Sequence, residues 1–166
     1  MNTSYPPAST PGEIKTEYGL CALSYSLDVN QIINSVQDDV AGATAVFIGT
    51  TRNSFKGKVV TKLEYQAYTK LALKTMASIV REAAESVTTA ASSTPSSIIR
   101  CTIHHRLGNV PVGEPSIVIA VSSPHRKEAF IVCEQILEEV KRKAQIWKRE
   151  YYEGEDDSKA EWKANY

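Results

Sequence analysis

The chain has 166 residues, enough for one domain with a sizeable core and too few for two comfortable ones. Its 19 Lys and Arg balance its 19 Asp and Glu, so net charge gives no argument for nucleic-acid binding, although a local cationic patch is allowed. No apolar run is long enough to span a bilayer. The three cysteines are far apart and never form a Cys-x-x-Cys pair, which argues against a disulfide framework or a zinc site. We therefore expect a soluble, cytosolic protein without metal or cofactor.

The first half of the chain predicts a flexible tail over residues 1–16, rich in Pro, Ser and Thr, followed by alternating strands and helices. Alternating or β-branched stretches predict strands over three ranges: 18–27, 42–50 and 59–68. Asp28 is predicted to cap a short helix, and Thr69 to begin a longer amphipathic helix that ends near Val87. Gly57 is predicted to turn the polar loop that follows the second strand. The two strands around this loop are therefore predicted to be antiparallel neighbours.

The second half predicts a loop, two further strands and a long helix. A small-residue loop over 90–97 leads to a strand over 98–107, a turn-rich connection over 108–113 and an apolar central strand over 116–122. Ser123 and Pro124 predict the start of the last helix. The order β-α-β-β-α-β-β-α predicts one α+β domain over residues 17–152, with a mainly antiparallel sheet on which the helices pack. The acidic residues 153–166 are predicted to form a C-terminal tail outside it.

A cationic run closes the last helix and continues beyond it, with five Lys or Arg within nine positions from Lys141 to Arg149. Such a run is often a solvated helix end, where cations interact favourably with the helix dipole. Trp147 offers a second interpretation. An apolar wall next to Lys148 would lower the pKa of its amine, and a lysine that loses its proton near neutral pH can act as a base or a nucleophile. The residue types alone leave both interpretations open.

Further candidate residues lie at the ends of predicted elements. His125 and Arg126 occupy the first turn of the last helix, where cations are disfavoured. With the free backbone N–H groups there they would bind a phosphate or carboxylate, although a mild surface misfit explains them equally well. Arg52 follows a strand end, a common place for a binding residue. His105 is predicted to be a core or rim histidine rather than a metal ligand.

The adjacent His104 cannot help His105 to chelate a metal, because neighbouring residues of a strand point to opposite faces. Cys101 and Cys133 fall at apolar positions of a predicted strand and helix. Buried cysteines of this kind are usually inert. We therefore predict core thiols rather than nucleophiles.

Helix geometry predicts a site shared between two chains. His125 and Lys141 are 16 positions apart on one helix, which corresponds to about 24 Å if the helix is straight. One chain therefore cannot grip a small substrate with both residues. If both serve one site, the protein is a homodimer in which His125 and Arg126 of one chain complete the pocket around Lys141 and Lys148 of the other.

Six short motifs occur in order along residues 18–152. They are Phe47-Ile48-Gly49-Thr50-Thr51-Arg52, Leu63-Glu64-Tyr65, His105-Arg106-Leu107-Gly108, Pro111-Val112-Gly113-Glu114, the stretch from Ser122 to Arg126, and Ile146-Trp147-Lys148. Each motif is weak alone, but together they resemble the catalytic (large) subunit of molybdopterin synthase. One departure is Gln145, which stands where that family usually has a proline.

The resemblance implies an α/β hammerhead fold and a sulfurtransferase activity in molybdenum cofactor biosynthesis. Such subunits convert cyclic pyranopterin monophosphate to molybdopterin by building its dithiolene. The sulfur arrives on the C-terminal glycine thiocarboxylate of a ubiquitin-like small subunit, whose tail inserts into the large subunit. The implied assembly is a heterotetramer, with a central dimer of large subunits and one small subunit at each end.

The matching motifs also imply roles for individual residues. The catalytic lysine of the family falls on Lys148, as an acid/base or transient covalent residue. Its second active-site lysine falls on Lys141, which would neutralise the incoming thiocarboxylate or a developing oxyanion. The substrate phosphate would be held by three residues: Arg52, His125 and Arg126. Phe47 would wall the pocket, although a core phenylalanine is the simpler interpretation.

The competing interpretation is a non-catalytic binding module, a dimer whose cationic groove accepts the acidic or C-terminal tail of a partner. It accounts for the cations equally well and needs no substrate. It does not explain why a tryptophan stands next to Lys148. A lowered pKa of Lys148 is expected for the enzyme and not for the module.

Overall fold

The computed structural model describes residues 6–90 and 98–165. These residues form three α-helices: α1 (Val29–Asn34), α2 (Thr69–Ala90) and α3 (Arg126–Lys143). The strands are β1 (Gly12–Lys15), β2 (Leu20–Ser24), β3 (Ala43–Thr50), β4 (Ser54–Phe55), β5 (Lys58–Ala67), β6 (Arg100–Arg106), β7 (Gly108–Pro111), β8 (Pro115–Ser123), β9 (Ile146–Tyr152) and β10 (Lys163–Ala164). A short 3-10 helix, Asp157–Lys159, lies between β9 and β10. No helix among the described residues is long and apolar enough to cross a membrane.

The strands form two sheets. The first has the order β1-β2-β6-β8-β3, and the second has the order β10-β9-β5-β4, with β7 also paired to β5. Strands β2 and β6 are parallel, and the other described pairs are antiparallel. The α+β class and the mainly antiparallel pairing predicted from the sequence are therefore confirmed. The strands form two sheets, however, and not the single sheet that was predicted.

The first sheet carries the main core. Helix α2 packs on β1, β2 and β6, whereas α3 packs on β3 and β8. In β8, Ile119 and Val121 belong to the core under these helices, while Val118 and Ala120 are also fully buried, on the alternate positions of the strand. Helix α1 contacts β8 as well. Burial on both faces explains why this strand has no polar alternation.

The predicted pairing of the strands around the polar loop is wrong. Strand β3 pairs with β8, and β5 pairs with β7 and β9. The loop instead contains β4, which forms a local hairpin with the start of β5 through Lys56 and Gly57, both at positive φ. The turn at Gly57 was thus identified correctly, but the partner of a long strand is decided by long-range packing.

Both chain ends are more ordered than predicted. Within the proposed tail 1–16, β1 pairs with β2, and Ser9 is only 2% exposed. The hydroxyl of Ser9 accepts a hydrogen bond of 3.0 Å from the backbone N–H of Ala67. At the other end, β10 pairs with β9, so the acidic segment returns to the domain. Most of the predicted loop 90–97 lies outside the described residues.

The bond from Ala67 to Ser9 generates a stability prediction. Ser9→Ala removes the acceptor and leaves a buried N–H without a partner, which should lower the free energy of unfolding by about 1–3 kcal/mol. Ser26→Ala, at an exposed serine, is the matched control and should change it by less than about 0.5 kcal/mol. Urea unfolding followed by circular dichroism measures both. Equal stability of the two variants would show that the N-terminal segment is not held as described.

Candidate active site

Elements from both sheets and from α3 meet around a cavity of about 540 Å³. Phe47 comes from β3, and Arg52 follows that strand. Lys141 comes from the last turn of α3, and Lys148 comes from β9. Four of the residues that the sequence singled out therefore line one pocket. Phe47 lines the cavity and also packs against the core, so the pocket-wall and core interpretations are compatible.

His125 and Arg126 lie outside this pocket. Helix α3 begins at Arg126, with His125 as its N-cap, two residues later than predicted. The delay arises because Ser123 remains in β8, where it pairs with Ala43. His125 and Arg126 are exposed and do not line the cavity that contains Lys141. Within one chain, His125 and Arg126 therefore do not share this pocket with Lys141.

Lys148 is the most perturbed cation of the pocket. Burial lowers the pKa of its amine, while the carboxylate of Glu150 acts in the opposite direction. Three further cations also lower it: Lys141, Lys163 and Arg52. The lowered pKa expected from the sequence is therefore confirmed in its direction. A half-buried amine near several cations holds its proton less tightly than an exposed one, which favours a base or a nucleophile.

The proposed cause of this effect, a wall formed by Trp147, is wrong. Because Trp147 and Lys148 are consecutive on β9, their side chains point to opposite faces of the strand. Trp147 is 41% exposed and is absent from the pocket lining. The aromatic neighbour of Lys148 is instead Tyr65, which lies directly opposite it on β5 and is buried in the pocket.

A neutral polar group lies deeper in the same pocket. His105 is 1% exposed, and its Nδ1 donates to the carbonyl of Arg106 at 2.8 Å. Its Nε2 accepts from the side-chain amide of Asn165 at 3.3 Å. The ring meets Tyr65 edge-on, with centroids 4.8 Å apart. Burial lowers the pKa of His105 to about 4, so the ring is neutral at pH 7, in agreement with the predicted core or rim histidine.

Several residues that line the pocket were not predicted as site residues from the sequence. Glu150 is 7% exposed and lies two positions after Lys148, on the same face of β9. Its carboxylate accepts from the hydroxyl of Tyr152 and lies 3.7 Å from the amine of Lys163. Asn165 reaches the pocket from the far end of the chain. Nothing in the local sequence marks these contacts, because they depend on where β10 docks.

The cysteines do not contribute to the site. Cys21, Cys101 and Cys133 are all buried and free. Burial raises the pKa of Cys21 to about 12 and that of Cys133 to about 11, and it also raises the pKa of Cys101. The predicted inert core thiols are therefore confirmed. Among the described residues, no three His, Cys, Asp or Glu side chains cluster as metal ligands would.

Comparison with known proteins gives consistent results. The family model for MoaE protein matches residues 24–143. The molybdopterin synthase catalytic subunit of Pyricularia oryzae is 47% identical over 139 residues, which is 84% of this chain and 70% of that protein. The matched family range contains Phe47, Arg52 and Lys141, and it ends before Lys148.

Solved structures show the same fold. The crystal structure of molybdopterin synthase from Staphylococcus aureus superposes with a TM-score of 0.73 at 32% identity, covering 85% of this chain and 94% of that one. The complex of subunits 1 and 2 of the molybdopterin-converting factor from Helicobacter pylori gives a TM-score of 0.61 at 21% identity, covering 81% and 85%. With the match of the family model, these findings show that the chain belongs to the MoaE family of molybdopterin synthase catalytic subunits.

Proposed function

We propose that this chain transfers sulfur from a thiocarboxylated small subunit to cyclic pyranopterin monophosphate and so forms the dithiolene of molybdopterin. The observation that carries the proposal is a pocket in which a half-buried amine of lowered pKa, that of Lys148, is lined up with Lys141 and Arg52 in a chain of this family. Three free cysteines suit a reducing compartment, and we place the reaction in the cytosol.

The charges of the pocket suit the charges of both reactants. A phosphate and a thiocarboxylate are anions, and the pocket offers them Arg52 and Lys141. Arg52 is exposed, and its Nε donates to the carbonyl of Ser54 at 2.9 Å. That bond leaves the terminal nitrogens of the guanidinium to reach the phosphate. Lys141 lies on the last turn of α3, where it can neutralise the thiocarboxylate or a developing oxyanion.

Sulfur transfer needs a group that gives up and takes back a proton. The thiocarboxylate sulfur bonds to a substrate carbon as a carbon–oxygen bond there breaks and the departing oxygen takes up a proton. Water then cleaves the acyl–sulfur bond, which leaves a carboxylate on the small subunit and the sulfur on the substrate. We assign the proton transfers to Lys148, because its lowered pKa increases the fraction of free amine relative to an ordinary lysine. The same free amine could instead attack the acyl carbon as a transient nucleophile.

The site is incomplete in one chain, and a second copy supplies the missing cations. Strand β3 lies at the edge of the first sheet, so one side of its backbone is unpaired. It also exposes Val46 and Ile48, at 37% and 41%. An unpaired edge with apolar side chains is a surface that favours pairing with another strand. We propose that β3 of each chain pairs with β3 of the other around a two-fold axis.

This pairing brings the required residues together. Ala43, at the start of β3, pairs with Ser123, close to the start of α3. Arg52 follows the opposite end of the strand. In an antiparallel two-fold pair, the start of one β3 lies opposite the end of the other. His125 and Arg126 of the second copy then approach the pocket of the first, where they add to the phosphate site.

The small subunit completes the proposed assembly. The related Helicobacter pylori structure is a complex of two subunits of the molybdopterin-converting factor. We propose an equivalent ubiquitin-like partner here, whose C-terminal glycine thiocarboxylate enters the pocket beside Lys148. One small subunit on each end of the large-subunit dimer gives a heterotetramer. The binding-module alternative does not account for the lowered pKa of Lys148, since a docking groove gains nothing from it.

Replacing Lys148 tests the catalytic assignment. The assay mixes the protein with a thiocarboxylated small subunit and cyclic pyranopterin monophosphate and measures the dithiolene product. Lys148→Ala should lower the rate by at least about 100-fold, because the acid/base group is lost. Lys148→Arg should be similarly slow, since a guanidinium stays protonated at neutral pH.

Lys143→Ala is the matched control for this assay. Lys143 belongs to the same cationic run but pairs with Glu139 at 2.6 Å and does not line the pocket. Its replacement should leave the rate within about twofold of wild type. A near wild-type rate for Lys148→Ala would refute the assignment. No product from the wild type, with the small subunit still bound, would favour the binding module.

Mixed dimers test the shared site. An Arg126→Ala chain and a Lys148→Ala chain should each be slow alone. After subunit exchange at equal amounts, half of the dimers are mixed, and each of these has one intact site, so about a quarter of wild-type activity should return.

A mixture of Lys148→Ala with Lys141→Ala is the control, because both residues line the pocket of one chain. Every site in these dimers then lacks one lysine, and no activity should return. If the first mixture recovers nothing although exchange is verified by native mass spectrometry, the shared site is wrong.

A further inference from the structure

The C-terminal strand places a cation directly against the catalytic strand. In the pairing of β10 with β9, Lys163 lies opposite Lys148, and Ala164 lies opposite Trp147. Like charges directly opposite each other destabilise a strand pair. A pairing selected for stability alone would avoid two lysines there. Such a local conflict is expected where a functional site requires it.

Lys163 also interacts with Glu150, the carboxylate that acts on Lys148 among the described residues. Its amine lies 3.7 Å from Glu150, which is buried on the same face of β9 as Lys148. It also lies over the ring of Phe55, at 5.3 Å. Lys163 thus lowers the pKa of Lys148 in two ways. Its positive charge repels the protonated amine of Lys148. It also partly neutralises the carboxylate of Glu150, which would otherwise stabilise that protonated amine.

We propose that Lys163 is a positioning residue of the active site, which keeps the amine of Lys148 in its free, reactive form. This role rests on the function proposed above and deepens it. It assigns a working part of the site to the C-terminal segment, beyond the range 24–143 that the family model matches. The segment therefore belongs to the catalytic domain.

The position of Lys163 is fixed from both sides of β10. Before the strand, the ring of Trp162 lies 4.6 Å from the guanidinium carbon of Arg149. After the strand, the amide of Asn165 donates to His105 inside the pocket. Because both anchors bind residues of the domain, Lys163 cannot move away from Lys148 without breaking one of them. The two residues therefore remain paired across β9 and β10.

The other groups around Lys148 determine the sign of the expected effect. Glu150 raises its pKa, whereas Lys141, Lys163 and Arg52 lower it. From β5 and β6 it is faced by a phenol and a neutral imidazole, Tyr65 and His105. Removing the charge of Lys163 removes one repulsion and releases Glu150. Both changes raise the pKa of Lys148, so less free amine is present at neutral pH.

The test measures the free amine itself, without turnover. The full-length protein is treated with trace acetic anhydride between pH 6 and pH 10, and the acetylation rate of Lys148 is followed by peptide mass spectrometry. In Lys163→Met, we expect the rate at neutral pH to fall about threefold and its midpoint to move to higher pH. Lys163→Arg keeps the charge and should titrate like the wild type.

Lys159→Met is the matched control, an exposed lysine on the same C-terminal segment that lies outside the pairing of β10 with β9. It should leave the titration of Lys148 unchanged. The proposal is overturned if Lys163→Met, with wild-type circular dichroism, does not move that titration. It is also overturned if Lys163→Arg moves it as far as Lys163→Met does, because packing rather than charge would then be responsible. Failure of the wild type to transfer sulfur would refute the proposed function but would leave this titration interpretable.

Discussion

The site depends on the register in which β9 lies against β5. In this register, Lys148 and Glu150 face the pocket, while Trp147 and Arg149 face outward. A shift of one residue would exchange the two faces and remove the lysine from the site. The outward face holds the register through the buried carboxylate of Glu64, which accepts from Arg149 at 2.5 Å and from the hydroxyl of Tyr151 at 2.8 Å. A polar cluster on one face thus positions the reactive amine on the other.

The same arrangement explains why the end of the chain matters. Strand β10 lies on the open edge of β9, and Trp162 covers Arg149 on the outward side. From that edge Asn165 reaches the pocket, and Lys163 lies opposite Lys148 and near Glu150. A buried carboxylate such as Glu150 raises the pKa of a neighbouring amine and favours its charged form. Here the surrounding cations oppose that outcome, so Lys148 holds its proton weakly and Glu150 has other partners.

Much of the fold and part of the site could be predicted from local patterns. Asp28 caps α1 as expected, its side chain accepting from the N–H of Gln31 at 3.1 Å. Thr69 begins α2, and the cysteines are buried. The family resemblance brought together Lys141, Lys148 and Arg52, although they are scattered along the chain. The environment of Lys148 could not be predicted in this way. The apolar wall beside its amine was assigned to Trp147, its neighbour in the sequence. On a strand, the relevant neighbour is the cross-strand residue Tyr65.

The sequence by itself determined the class of the fold, most of its elements, the family and the residues that could carry the chemistry. Each of these depends on composition, periodicity or short motifs, which are properties of adjacent residues. Only the tertiary structure decided that β3 pairs with β8, that the terminal segments pack on the domain, that Asn165 reaches the pocket and that Lys163 lies opposite Lys148. These outcomes depend on contacts between distant segments. Such contacts are selected by the burial of whole surfaces and by paired hydrogen bonds, for which no local pattern carries a signal.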